Sequence, residues 1–115
     1  MVAPPVTLRR LAALAPAPAR AATPVISCEL AGNVFYEYYT AVQKGRDTTA
    51  LSAWSPATKQ YYTANCSKGT GVINCRISGT TDPNAQVQFT QAAIDAYTPQ
   101  HAHDYAATHD LGPNG

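Results

Sequence analysis

Charge is scarce in this chain. Lys, Arg, Asp and Glu make up 13% of its 115 residues and leave a formal net charge of +1, where an average soluble chain has roughly 25% charged residues. That balance excludes a protein held to nucleic acid by bulk positive charge and an acidic solvating tail. Long apolar runs are missing too. No stretch reaches the ~18 consecutive apolar residues that a membrane-spanning helix needs. Bulky core formers are few: Leu, Ile, Val and Phe total 19, and alanine alone supplies 21 of the hydrophobic residues. So few core formers would suit disorder, but disorder also calls for a high net charge, which is absent. The composition predicts a single small core with disordered ends.

Residues 1–24 differ from the rest, with five prolines, eight alanines, three arginines and no acid. Arg9-Arg10 precedes Leu11-Ala12-Ala13-Leu14-Ala15, and Ala19-Arg20-Ala21 follows. A basic patch, an apolar stretch and an A-x-A pattern form the layout of a secretory signal. Pro16 and Pro18 interrupt the apolar stretch, so the competing reading is a disordered Ala/Pro arm. Either way the segment stands outside the fold.

Residues 25–90 hold the expected core, with the sole Trp and five of the seven Tyr. Ser27 is placed to cap a helix, and Glu29 in its first turn suits the positive end of the helix dipole. Cys28, Ala31, Phe35, Tyr38 and Val42 recur at helical spacing, with Tyr36 and Tyr39 off that seam, and Gly45 is placed to end the helix. The period then changes to two. Strands are predicted over 48–55, 60–66, 72–78 and 85–90, with turns at Ser55-Pro56-Ala57-Thr58, at Gly69-Thr70 in type II′ geometry, and at Asp82-Pro83. The expected class is α+β: one helix packed on a three- to four-stranded antiparallel meander, with the opposite sheet face polar and wet. Residues 91–115 have three Asp and three His but no Lys or Arg. They predict short helices over 91–97 and 102–110 in a frayed or loosely docked tail.

The helical and alternating patterns set Cys28, Cys66 and Cys75 on the apolar faces of their elements, so a disulfide is feasible. If Gly69-Thr70 centres the hairpin turn, Cys66 and Cys75 are diagonal neighbours, about 7–8 Å apart and beyond comfortable bonding reach. A turn shifted by one residue sets them opposite. A bridge within the hairpin and a bridge from Cys28 to the sheet both stay open, and the third cysteine is expected to be a buried small hydrophobe.

Taken together, Ser27-Cys28, Asn33-Val34, Ser55-Pro56-Ala57-Thr58-Lys59-Gln60-Tyr61-Tyr62-Thr63-Ala64-Asn65-Cys66, Val72-Ile73-Asn74-Cys75 and Ala85-Gln86-Val87-Gln88-Phe89 resemble a group of small exported proteins and extracellular modules of actinobacteria, including mycobacteria. The resemblance spans residues 27–89. Ala57 and Lys59 stand where that group has Val and Gly, and Gly79 stands alone where it has a Gly-Gly-Asn turn. The resemblance implies export and an α+β module with a disulfide. It carries no catalytic residues.

Candidate chemistry is sparse. His101, His103 and His109 beside Asp104 and Asp110 are weak metal-ligand candidates, since helical spacing turns 101 and 103 apart; no metal or other cofactor is expected. Glu29, Glu37, Asp47 and Asp82 form no catalytic dyad, no Ser sits in a nucleophile elbow, and Lys68-Gly69-Thr70-Gly71 lacks the second half of a phosphate loop. The better candidate is the outer sheet face. There the alternation gathers Tyr61, Thr63, Asn65, Asn74 and Arg76, a mixture of rigid contact area and polar groups suited to a protein or glycan ligand. The expected function is a secreted or envelope-located, non-catalytic binding module with no nucleic-acid partner and no membrane span. The alternatives are a Cys- or His-dependent enzyme or metal protein, and a cytosolic adaptor with reduced thiols.

Overall fold

A computed structural model describes residues 27–80 and 84–113. The signal-like segment at 1–24 and the Asp82-Pro83 turn lie outside these. Helix α1 spans Cys28–Gln43. Ser27 Oγ accepts a hydrogen bond from Leu30 N at 3.1 Å and so satisfies one of the unpaired donors of the first turn. At the other end Gly45 N donates to Val42 O and Arg46 N to Ala41 O, a Schellman closure of the last carbonyls.

Four strands follow: β1 Ala50–Ser55, β2 Gln60–Lys68, β3 Val72–Ser78 and β4 Gln86–Thr90. They form one antiparallel sheet in the order β1-β2-β3-β4. The fold class is therefore α+β with a meander sheet, as the change of period implies. The strand predicted from residue 48 starts at Ala50, because Asp47 Oδ1 accepts from both Thr49 N and Thr49 Oγ1 and holds that stretch in a turn. Leu51, Ala53, Tyr62, Ala64, Cys66, Ile73, Cys75, Ile77, Val87 and Phe89 are all buried on one sheet face. Onto them α1 packs Leu30, Ala31, Val34, Phe35, Tyr38, Tyr39 and Ala41. Phe35 and Tyr38 meet Phe89 edge-on, with ring centroids 5.1 and 5.3 Å away.

The β2–β3 hairpin corrects the predicted turn. Gly69 N donates to Val72 O, so Thr70 and Gly71 are the central pair, and Gly71 has φ +71. Positive φ costs a glycine no side-chain clash, so Gly71 takes the left-handed position of the turn without strain. The shifted register sets Cys66 opposite Cys75. Counted from the hydrogen-bonded rung at Gly69 and Val72, that rung is a non-hydrogen-bonded one, where facing side chains come closest. The two cysteines form the disulfide.

The helix-to-sheet bridge is not formed, and Cys28 is exposed. Val42 is exposed too, at 42%. Both lie seven residues from Phe35, within about 20° of its direction. The stripe therefore points correctly but overhangs the sheet at both ends of the helix. A further correction concerns Tyr39 and Tyr36. Tyr39 is buried, with its ring 5.0 Å from Tyr97, and Tyr36 stacks on Tyr105 at 5.6 Å. The apolar face of α1 is wider than the sheet alone requires, because the C-terminal segment packs on its flank.

That segment is not loosely docked. Thr90 caps α2 (Gln91–Ala96), and Thr98 caps α3 (Pro99–Thr108), with Pro99 in the first turn. The second helix thus begins at Pro99 rather than residue 102. A proline at this position has no N–H to lose and a preset φ. Ile94, Tyr97 and Tyr105 are buried. Asn33, itself buried, ties the pieces together. Its Nδ2 donates to Trp54 O at 2.8 Å and to Asp110 O at 2.9 Å, and its Oδ1 accepts from Tyr105 Oη at 2.8 Å. One side chain thus links α1, β1, α3 and the residues after α3.

Candidate functional site

With the inner sheet face covered by α1, the other face carries no helix among the described residues. Strand alternation decides which side chains reach it. Parity opposite to Leu51, Tyr62, Cys75 and Val87 sends Ser52, Trp54, Tyr61, Thr63, Asn65, Ser67, Asn74, Arg76, Gln86 and Gln88 outward. Register arranges them in rows. Trp54 pairs with Tyr61, and their rings meet edge-on at 4.9 Å. In the next outward row Ser52, Thr63 and Ser78 line up, then Asn65, Arg76 and Gln86, then Ser67, Asn74 and Gln88. All five residues expected on this face, Tyr61, Thr63, Asn65, Asn74 and Arg76, therefore share it. None of the residues in these rows is acidic, and Arg76 brings the formal positive charge.

Two side chains show how the face is held. Asn65 Nδ2 donates to Ser78 Oγ at 2.8 Å, tying its row to the Thr63 row beside it. Asn74 is half-buried, and its Oδ1 is buried without a hydrogen-bond partner. It lies in the row farthest from the aromatic pair, and an acceptor closed off from both solvent and partners is costly to the fold.

At the aromatic end, residues 110–113 come up against the face. Asp110 Oδ2 accepts from Trp54 Nε1 at 3.1 Å, and its Oδ1 accepts from Gly112 N at 2.9 Å. These two bonds, with a smaller pull from Lys59, hold the Asp110 carboxyl below the ordinary carboxylate range. Gly112 has φ +88, and a Cβ there would lie 2.6 Å from Tyr61 Oη and 2.7 Å from Trp54 Cδ2. Trp54 and Gly112 were not singled out as site residues by sequence reasoning, and Asp110 only as a neighbour of the histidine metal candidates. The parity of β1 was sufficient to find Trp54. No local signal marks the other two, because their partners are 56 and about 50 positions away.

The remaining candidate groups do not assemble. His103 lies 3.6 Å from Asp104, both toward solvent. His109 stacks on Tyr105 at 3.8 Å, with Nδ1 at 3.0 Å from Thr108 Oγ1 and Tyr105 O. His101 is half-buried, its ring 5.1 Å from Tyr97, and its Nδ1 makes no hydrogen bond. Among the described residues, no group of three or more His, Cys, Asp and Glu side chains gathers around a metal position. Partial burial and the Glu29 carboxylate push the Cys28 thiol up, away from the reactive thiolate. Burial also pushes the Glu37 carboxyl up, with Lys44 and Arg46 opposing, while the Thr49 hydrogen bonds hold Asp47 down. No helix among the described residues is long and apolar enough to cross a membrane.

Comparison with protein-family models, curated proteins and solved structures finds no match for the chain.

Proposed function

We propose that this chain is a small exported module that binds a ligand at or beyond the cell envelope and catalyses no reaction. The observation that carries the reading is the outer sheet face. An aromatic pair and successive rows of amide, hydroxyl and guanidinium groups lie on one rigid sheet, and helices occupy the opposite side. Aromatic rings give contact area at low entropic cost, and short polar side chains fixed on strands give directional hydrogen bonds. A face whose strand rows hold amides and hydroxyls without an acid, with Trp54 and the Asp110 carboxylate at one end, suits a glycan better than an acidic or strongly basic protein surface. The Cys66–Cys75 disulfide is compatible with an oxidising compartment. The likeness of residues 27–89 to exported actinobacterial modules supports the same placement.

The test is the intact mass of the protein from its own host, in culture filtrate and in cell pellet, after alkylation of free thiols. The expected species is in the filtrate, starts near Ala22 and carries one alkyl group, on Cys28. A full-length pellet species with three alkylated thiols would replace this reading with that of a cytosolic adaptor. For the face itself, Arg76→Ala and Asn74→Ala are expected to abolish glycan-array binding without lowering the melting temperature by more than a few degrees.

A further inference from the structure

The segment after α3 is unlike the rest of the C-terminal region. Helices α2 and α3 bury Ile94, Tyr97 and Tyr105. Residues 110–113 carry no regular structure, and Asp110 and Pro113 are exposed. Yet they lie directly on the aromatic end of the outer face. The 2.6–2.8 Å approach that a Cβ at Gly112 would make to Tyr61 Oη and to Trp54 Cγ and Cδ2 means that the Gly112 backbone presses on the indole. A glycine backbone against an aromatic ring occupies the place where a flat ligand ring would stack. Among the described residues the bonds that hold it start at Asp110: Asp110 O accepts from Asn33 Nδ2, Asp110 Oδ2 from Trp54 Nε1, and Asp110 Oδ1 closes the turn to Gly112 N. Only one of these bonds goes to a buried partner, Asn33, and the Asp110 side chain that makes the other two is exposed, so the segment opens more readily than the two helices before it.

We infer that residues 110–113 are a detachable strap that occupies the Trp54–Tyr61 pair, and that a neutral glycan bound to the outer face takes the strap's place on Trp54. The inference rests on the glycan reading of that face. It adds that the resting protein is partly self-blocked, so that a ligand binds more weakly than the open face would allow. The apparent dissociation constant is raised by the inverse of the open fraction. The strap also explains the glycine. Any larger residue at 112 meets the indole and the Tyr61 hydroxyl, and the positive φ adds strain to it.

Trp54 is the sole tryptophan, so its fluorescence reads the strap without a label. The experiment uses the full chain as wild type, Gly112→Ala and Asp110→Ala. The first variant forces the strap off by collision, and the second removes its side-chain bonds without adding bulk. Acrylamide quenching of Trp54 is measured together with binding to an array of neutral oligosaccharides. Both variants are expected to keep the wild-type circular dichroism, to raise the quenching constant at least twofold, and to bind the array sugars at least fivefold more tightly than wild type. Unchanged quenching in both variants would show that nothing covers the indole and would overturn the strap. Raised quenching with unchanged or weaker sugar binding would overturn the competition but leave the glycan reading standing. Raised quenching with no sugar bound by any of the three forms would overturn the glycan reading and the competition with it.

Discussion

Tyr105 Oη donates to Asn33 Oδ1 at 2.8 Å across 72 positions of sequence, and both residues are buried. The Asn33 amide makes three hydrogen bonds inside the protein, so its burial is compensated only while all the partners are present. Tyr105→Phe is expected to cost about 1–2 kcal/mol, the effect of leaving one buried acceptor unmet. Asn33→Ala removes three bonds and strands the Tyr105 hydroxyl, with an expected loss of about 2–4 kcal/mol. Urea denaturation of the oxidised protein measures both.

The disulfide spans nine positions. In the chain-entropy view a loop of this size is worth about 2.5–3 kcal/mol. The double substitution Cys66→Ala with Cys75→Ala is expected to lower stability by about that much, with a further loss from the core volume removed at Cys75. Under native, non-reducing conditions N-ethylmaleimide is expected to add once, at Cys28, and three times after unfolding and reduction. Intact mass counts the adducts.

Acid should act on the strap. The Asp110 carboxyl is held below its ordinary value by Gly112 N and Trp54 Nε1. A depressed carboxyl stabilises the folded form above the unfolded-state value and stops doing so as pH falls through the folded value. Trp54 fluorescence is therefore expected to stay constant through mildly acidic pH and to change only below the ordinary aspartate range. Asp110→Asn should remove that transition. A midpoint at or above the ordinary aspartate value would contradict the assignment.

Glu37 works in the opposite direction. Burial raises its carboxyl, and Lys44 and Arg46 only partly offset this. A raised carboxyl favours the protonated folded form, so stability falls as pH climbs from the ordinary glutamate value through the folded one. Glu37→Gln is expected to melt higher than wild type at pH 7 and at the same temperature near pH 4. Thermal denaturation at the two pH values is the check.

Much of the architecture was legible because it depends on local patterns. The 3.6 and 2.0 periodicities gave the helix, the four strands and their faces, and hence the five outer-face residues. Where prediction failed, a distant contact or a one-residue choice decided. The disulfide turned on which glycine of the β2–β3 turn would take positive φ, and spacing alone leaves that open. Cys28 has the right helical angle, but its burial depends on where the sheet ends. The tail's short helices were foreseen, but its docking and the burial of Tyr39 were missed together, since each is the other's partner through Tyr97. Asn33 sat within a recognised pattern as a polar residue on an apolar helix, and its acceptors were 21 and 77 positions away.

The meander has a kinetic consequence. Each strand pairs with its neighbour in sequence, so the sheet requires only short loops to close, and such contacts form early in folding. The Asn33 links to Tyr105 and Asp110 close loops of 72 and 77 positions and are expected to form later. Interactions made after the rate-limiting barrier govern how quickly the native state is lost rather than how quickly it is reached. Substitutions at Asn33 or Tyr105 are thus expected to speed unfolding more than they slow folding, and substitutions in the hairpins to do the reverse.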